Sequence, residues 1–173
     1  MAVWRWPLVP RLGSALAAFP IVLFGVAFRV WARCYFTRGS DTRRIQTHRL
    51  VLFGPYRRVR NPLYVGNVAV AAGLTLAFTD PAASGVMTAA LLLFYSVVIR
   101  SEETVLLRTW GAAYRAFQRQ VPRWWPRLIA VSTDADAPAP QLLQALRKER
   151  LRIAGALGAC AVAVGIAWLR SRT

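Results

Sequence analysis

Residues 63–99 read LYVGNVAVAAGLTLAFTDPAASGVMTAALLLFYSVVI, and the architecture of the chain follows from this segment. It contains two apolar runs, 63–78 and 82–99, separated only by the turn-forming sequence Thr79-Asp80-Pro81. A connection this short predicts two antiparallel helices in a tight hairpin. The first run is short for a full membrane crossing, because each helical residue adds only about 1.5 Å. Small residues near one of its faces permit close helix approach: Gly66, Ala69, Ala72 and Gly73.

Two further apolar runs flank this hairpin. Residues 12–31 can cross a bilayer if Arg29 snorkels to the interface, and residues 153–169 form the last run. We therefore predict an all-α, polytopic membrane helical bundle of about four transmembrane helices. Residues 1–130 are expected to form the core, 131–140 a Pro/Ala/Asp-rich linker, and 141–173 an amphipathic segment followed by the C-terminal span. Residues 141–152 fit an interfacial helix and a lead-in to that span equally well.

The charge distribution of this basic chain indicates whether it binds nucleic acid or membrane lipids. It carries 23 Lys and Arg against 7 Asp and Glu, a net charge of +16, with 56% hydrophobic residues and a mean hydropathy of +0.36. A soluble protein this basic suggests nucleic acid, but here arginines alternate with long apolar runs. That pattern favours membrane lipids as partners and no nucleic acid.

The same charges predict an orientation. The long basic stretches 33–60 and 100–127 flank the hairpin, so they lie on one side of the membrane. The positive-inside rule makes that side cytoplasmic, and we expect a multi-pass protein of a bacterial inner membrane. His48 is the only histidine, and Cys34 and Cys160 are the only cysteines. No metal site or disulfide framework is expected, and the two thiols are interpreted as packed side chains.

The first chemically informative segment, 52–67, enters the membrane from a cytoplasmic loop. Gly54-Pro55 is a turn signal, and Pro62 suits the first turn of the second span. A helix start offers backbone N–H groups to an anion, and Arg60 adds a charged fork. These groups predict a pocket for a ligand with a carboxylate and an aromatic ring. The alternative is a loop whose arginines meet lipid phosphates.

The second segment contains an acidic pair at the end of the third span. Glu102 and Glu103 stand out because carboxylates are scarce here and costly at a membrane boundary. The hairpin should return them to the level of Arg60 and Asn61, where they could hold an amino group or a ribose hydroxyl. Pairing with arginines at a helix cap is the alternative.

Together the two segments resemble a known family. The order Gly-Pro-Tyr-x-x-Val-Arg-Asn-Pro-x-Tyr-x-Gly, then Glu-Glu-x-x-Leu, then Gly-x-x-Tyr and Val-Pro-Arg, is similar to the isoprenylcysteine carboxyl methyltransferase and phospholipid methyltransferase superfamily. The resemblance covers about residues 50–126. It implies an integral membrane enzyme that binds S-adenosylmethionine at the cytoplasmic face and methylates a lipid-like or prenylated acceptor, with carboxyl O-methylation favoured and phospholipid N-methylation as the alternative.

The resemblance also implies roles for individual residues. The cofactor would be bound by Tyr56, Arg60, Asn61, Pro62, Tyr64, Gly66, Glu102 and Glu103. Arg60, Glu103 and Arg123 would be catalytic, and Tyr114, Pro122 and Arg123 would shape a lid and the substrate entrance. Asn61 stands where eukaryotic members usually have histidine. Asparagine still hydrogen-bonds but cannot act as a base.

Two other functions fit parts of the pattern. Sterol-type reductases, which use NADPH, share a related C-terminal pattern but are usually longer. A non-enzymatic basic membrane protein that binds anionic lipid would need no cofactor pocket. The sequence leaves the oligomeric state and the acceptor open.

Overall fold

The protein, seen in a computed structural model, is a bundle of long helices. The structure describes residues 10–35, 52–131 and 139–172. In these ranges there are four α-helices and no strand: α1 (Leu12–Cys34), α2 (Pro62–Phe78), α3 (Pro81–Gln120) and α4 (Leu142–Arg170). A 3₁₀ turn, Gly54–Arg57, precedes α2. α1, α3 and α4 are long and apolar enough to span a membrane, whereas α2 is shorter. The predicted all-α membrane bundle is confirmed.

Glycines bring α1 and α2 into close contact. A Cβ atom on Gly25 of α1 would lie 2.8 Å from the backbone nitrogen of Val70 and 2.9 Å from the carbonyl oxygen of Gly66. A Cβ on Gly73 would lie 3.1 Å from the carbonyl oxygen of Ala18. Larger residues would push the backbones apart, so the small face of α2 predicted from the sequence packs against α1.

The predicted α2–α3 hairpin is present, and its turn is capped. Asp80 is the N-cap of α3, and its side chain accepts a 3.0 Å hydrogen bond from the backbone N–H of Ala83. Pro81 occupies the first helical position, where its missing N–H costs nothing. The bond from Ala83 holds the pKa of the Asp80 carboxyl below its usual value, because it stabilises the charged form.

α3 extends well beyond the predicted span. The apolar run ends at Ile99, but the helix continues through the basic residues to Gln120. Gly111 interrupts it with φ 49° and ψ −117°, a conformation that only glycine adopts without strain. The break redirects the chain, so the segment that follows Gln120 can return to the 3₁₀ turn.

α4 resolves the two interpretations of residues 141–152. These residues form the first turns of one continuous helix and lead directly into the span. The buried face of α4 is made of Ala156, Cys160, Ala163 and Ala167. Four small residues of α4, Ala154, Gly158, Ala161 and Gly165, are exposed and do not pack against the other helices.

A buried ion pair joins α1 to α4 and corrects one expectation. Arg29 was expected to snorkel to the interface, but it is only 6% exposed and donates to both carboxylate oxygens of Glu149, with N···O distances of 2.8–3.0 Å. Arg33 also donates to Glu149 at 2.9 Å. Glu149, the partner of Arg29, lies 120 residues away in the sequence, so the pairing depends on how the helices pack.

Candidate functional site at the start of α2

The 3₁₀ turn places a buried tyrosine beside the start of α2. Gly54 has φ +57°, and the ring of Tyr35 packs where a side chain would be, so glycine is required twice over. Pro55 and Tyr56 are buried. Burial raises the pKa of the Tyr56 hydroxyl far above its usual value, against the opposing effect of nearby Arg33. The Tyr56 hydroxyl therefore stays protonated and uncharged at physiological pH.

Backbone hydrogen bonds join the two sequence motifs. The N–H of Arg60 donates to the carbonyl of Pro122 at 2.9 Å, and the N–H of Arg127 donates to Arg58 at 2.9 Å. The N–H of Val131 donates to the carbonyl of Arg57 at 3.1 Å. Segments that lie 62–74 residues apart in sequence are thus paired, and the chain after α3 lies against the residues that precede α2.

Glu103 is the centre of an ion cluster. Its side chain is only 5% exposed, and its two oxygens lie 2.9 Å from Nε of Arg60 and 2.5 Å from Nη2 of Arg123. Arg60 also donates from Nη1 to the carbonyls of Gln118 and Val121, at 2.8 and 3.2 Å. Glu103 thus lies in the middle of α3 and is paired with arginines, but it does not cap a helix. It ties α3, the loop before α2 and the returning segment together.

The neighbouring Glu102 has a different environment. Its Oε1 accepts a 2.6 Å hydrogen bond from the hydroxyl of Tyr64, and its side chain is only partly buried. The amide of Asn61 donates to the carbonyl of Arg123 at 3.4 Å. Adjacent carboxylates therefore differ: Glu103 is enclosed by arginines, whereas Glu102 is held by one tyrosine and keeps acceptor capacity.

The start of α2 offers fewer anion-binding groups than the sequence suggested. Pro62 has no N–H, and the N–H groups of Tyr64 and Val65 both donate to the carbonyl of Asn61. Gly66 lies at the crossing with α1, where a Cβ would collide with the side chain of Arg29. Of the predicted site residues, Gly66 therefore faces away from the Glu103 cluster.

Tyr114 and Pro122 lie on the α3 side of the site. Tyr114 is only 2% exposed and follows the break at Gly111. Pro122 is partly buried, and its carbonyl accepts from Arg60. The structure thus brings both motifs into one site and leaves partly accessible a carboxylate, Glu102, and a guanidinium, Arg123, whose side chain is 31% exposed. An accessible anion and cation near tyrosine rings suit a zwitterionic, aromatic ligand.

A second cluster of polar side chains lies between the helices, and sequence reasoning missed its four members. Arg29, Asn67, Tyr95 and Glu149 form connected hydrogen bonds across all four helices. One signal was available: Glu149 is the only acidic residue in 141–173. Among the residues that the structure describes, no three His, Cys, Asp or Glu side chains are placed to hold a metal ion.

Comparison with known families gives the identification. The family model described as phospholipid methyltransferase matches residues 12–113, well over half of the chain. The chain belongs to the phospholipid methyltransferase family. This places it in the superfamily of membrane methyltransferases that the two motifs indicated, and confirms that resemblance. The match includes Arg60, Tyr64 and the Glu102–Glu103 pair but ends before Arg123.

Two curated relatives of this phospholipid methyltransferase family member are named as metal resistance proteins. It is 31% identical over 107 residues to the nickel-cobalt-cadmium resistance protein NccN of Alcaligenes xylosoxydans xylosoxydans, covering 62% of the chain and 47% of the relative. It is 31% identical over 126 residues to the cobalt-zinc-cadmium resistance protein CzcN of Cupriavidus metallidurans, covering 72% and 52%. The chain spans about half the length of these relatives. No solved structure matches it.

Proposed function

We propose that this membrane protein is an S-adenosylmethionine-dependent methyltransferase that acts on a lipid-like or prenylated acceptor. The observation that carries the proposal is the site at the start of α2. There the half-buried Glu102, held by Tyr64, lies one residue from the Glu103–Arg123 ion pair. The family match supports methyl transfer in general, and the cofactor and acceptor are inferred from the chemistry of the residues.

The residues present fit S-adenosylmethionine. Its amino group and ribose hydroxyls need an acceptor such as Glu102, and its carboxylate needs a donor such as Arg123. The tyrosine rings supply apolar faces for the adenine. When bound, the cofactor supplies a methyl group already activated by a positively charged sulfur.

Arg60 and Glu103 act in this proposal mainly as positioning residues. Each is nearly enclosed, and they hold the returning segment against α2. Direct contact between either side chain and the cofactor, implied by the family resemblance, stays a prediction. The enclosed cluster would keep donor and acceptor aligned and exclude water, which is how an enzyme accelerates a displacement that needs no strong nucleophile.

We favour a carboxylate as the acceptor group. A carboxylate loses no proton when it is methylated, and Asn61 cannot accept one. The alternative is the amine of a phospholipid, in which case Glu102 is the group placed to remove a proton. In both cases the positive-inside rule assigns the site to the cytoplasmic face.

Calorimetry on the detergent-solubilised protein tests the cofactor assignment. We expect wild type to bind S-adenosylmethionine, and Glu102→Gln and Arg123→Gln to bind it about tenfold or more weakly, because each loses a charge-assisted hydrogen bond. The controls are Asp80→Asn at the far end of the hairpin and the exposed Arg108→Gln, which should bind as wild type does. The absence of binding by folded wild type would refute the proposal.

The acceptor group can be identified from the product. Membranes are incubated with wild type and S-adenosylmethionine labelled in the methyl group, and the labelled lipid is then treated with mild alkali. A methyl ester releases volatile labelled methanol, whereas an N-methyl group does not. Alkali-stable label would replace carboxyl methylation by N-methylation.

A further inference from the structure

A cavity lies between the four helices. It has a volume of about 300 Å³ and takes part of its wall from each helix. The wall is largely apolar, with Val26, Val70, Leu74 and Ile153 among its side chains. Polar groups from Arg29, Asn67, Tyr95, Glu149 and Arg152 also line it. An apolar wall with a few convergent polar groups is the usual form of a small-molecule site.

Hydrogen-bond directions around the cavity are determined by one arginine. Arg29 has only donors, and it bonds Oδ1 of Asn67, so the amide nitrogen of Asn67 must face the other way. That nitrogen lies 3.2 Å from the hydroxyl oxygen of Tyr95 and donates to it. Since the Tyr95 oxygen is an acceptor in this bond, its own hydrogen is available, and it has no acceptor within the described ranges. The chain of hydrogen bonds from Arg29 through Asn67 to Tyr95 therefore ends in a donor at the cavity wall.

The hydrogen bonds at the Arg29 end of this chain are held in one direction. Glu149 is only 1% exposed and holds Nε and Nη2 of Arg29 at 2.8–3.0 Å. Nη1 donates to Oδ1 of Asn67 and, at 3.4 Å, to the carbonyl of Leu63, and the bond to Asn67 orients the amide. The α1–α4 ion pair thus determines that the Tyr95 hydroxyl acts as a hydrogen-bond donor at the cavity wall.

The polar groups at the cavity carry excess positive charge. Arg29 and Arg152 line it with a single carboxylate, Glu149, which also neutralises Arg33. The side chain of Arg152 is 64% exposed and makes one 3.4 Å contact with Glu149, so it keeps donors that Glu149 does not use. The excess positive charge attracts a negatively charged oxygen and repels an ammonium group.

The cavity adjoins the site proposed for the cofactor. The ring of Tyr95 lies with its centroid 5.0 Å from that of Tyr64, and Tyr64 donates to Glu102. We propose that the cavity binds the methyl acceptor, an amphiphile whose hydrocarbon part contacts the apolar wall and whose acidic oxygen head group, a carboxylate or phosphate, accepts from Tyr95 near Arg152. Tyr95 is then a specificity-determining residue. This inference rests on the proposed function.

Photolabelling tests the cavity with a defined probe. Purified full-length protein in detergent is labelled with dodecanoate that carries a photoreactive diazirine, with unlabelled dodecanoate as competitor. We expect saturable labelling of peptides from α2 and α4 that line the cavity. Tyr95→Phe should raise the competing concentration about tenfold, because a hydrogen bond to a charged group is lost. Leu74→Trp should abolish labelling by filling the cavity, and the exposed Leu93→Ala should have no effect.

Three results would overturn the assignment: a Tyr95→Phe effect below twofold, labelling that survives Leu74→Trp, or equal competition by neutral dodecanol. Dodecyl phosphate as a competitor distinguishes a phosphate head from a carboxylate. S-adenosylmethionine binding is measured on the same samples and should change less than twofold in Tyr95→Phe. Cofactor binding without labelling refutes the cavity alone, whereas labelling without cofactor binding refutes the proposed function and the acceptor assignment with it.

Discussion

Replacing Glu149 by glutamine removes the carboxylate that anchors α4 to α1. The side chains of Glu149 and Arg29 are 1% and 8% exposed, so the substitution leaves a buried guanidinium without its counter-charge. Loss of one partner of a buried ion pair costs about 3–5 kcal/mol. We take about 3 kcal/mol, because Arg33 lies nearer the surface at 14% exposure and is rehydrated more easily. For a chain of this size, that corresponds to a fall in Tm of roughly 6–12 °C.

The two buried cysteines provide the assay. Cys34 and Cys160 are free and buried, so a thiol-reactive fluorophore reports the temperature at which the helices separate. Arg152→Gln is the matched control, because its exposed contact with Glu149 is worth at most about 0.5 kcal/mol, or roughly 2 °C. The double variant Arg29→Leu/Glu149→Leu removes both charges and should recover much of the loss. A Glu149→Gln protein that melts within 2 °C of wild type would show that the ion pair does not hold α4.

Three further substitutions test other parts of the structure. Gly111→Ala places a side chain at a positive φ in open surroundings, so backbone strain of about 1–3 kcal/mol should lower Tm, and an unchanged Tm would contradict the break in α3. Arg60→Lys keeps the charge beside Glu103 but loses the Nη1 bonds to the carbonyls of Gln118 and Val121, so S-adenosylmethionine affinity measured by calorimetry should fall about tenfold, and wild-type affinity would favour a simple electrostatic role. Asp80→Ala should lower Tm at pH 7. Because the folded pKa of Asp80 is depressed, its contribution is present above the unfolded pKa and is lost as pH falls through the folded pKa, so the difference in Tm should shrink below about pH 4; a constant difference would rule out the charged cap.

The helices and the hairpin could be predicted because their causes are local. The apolar runs, the turn at Asp80 and the proline at the start of α3 all act within a few residues. The C-terminal part of α3 was less predictable. Nothing in the hydropathy pattern shows that α3 continues past Ile99 or breaks at Gly111, because a basic amphipathic helix and a basic loop have similar composition. The linker expected at 131–140 lies largely outside the described residues.

The candidate site was predictable as a set of residues but not as a set of contacts. Motif order and the hairpin indicated that Glu102 and Glu103 return to the level of Arg60. Which carboxylate is enclosed and which is accessible depends on a helical rotation of one residue, about 100°. That rotation turns Glu103 towards Arg60 and Arg123, and Glu102 towards Tyr64.

Arg29 shows the limit of reading a charge in an apolar run. Its position near the end of a span suits snorkelling, and the energetic argument for it is sound while the helix stands alone. Packing of α4 places Glu149 2.8 Å from Arg29, so the buried guanidinium is paired with an opposite charge. The same packing creates the cavity and orients Asn67 and Tyr95.

The membrane bundle, the hairpin, the two basic stretches and the family could be predicted, because they follow from composition, spacing and motif order along the chain. The ion pairs, the direction of the hydrogen bonds and the shape of the two sites come from the packing of the helices. Each of these depends on side chains that are tens of residues apart, and their energies arise only when helix packing removes them from water.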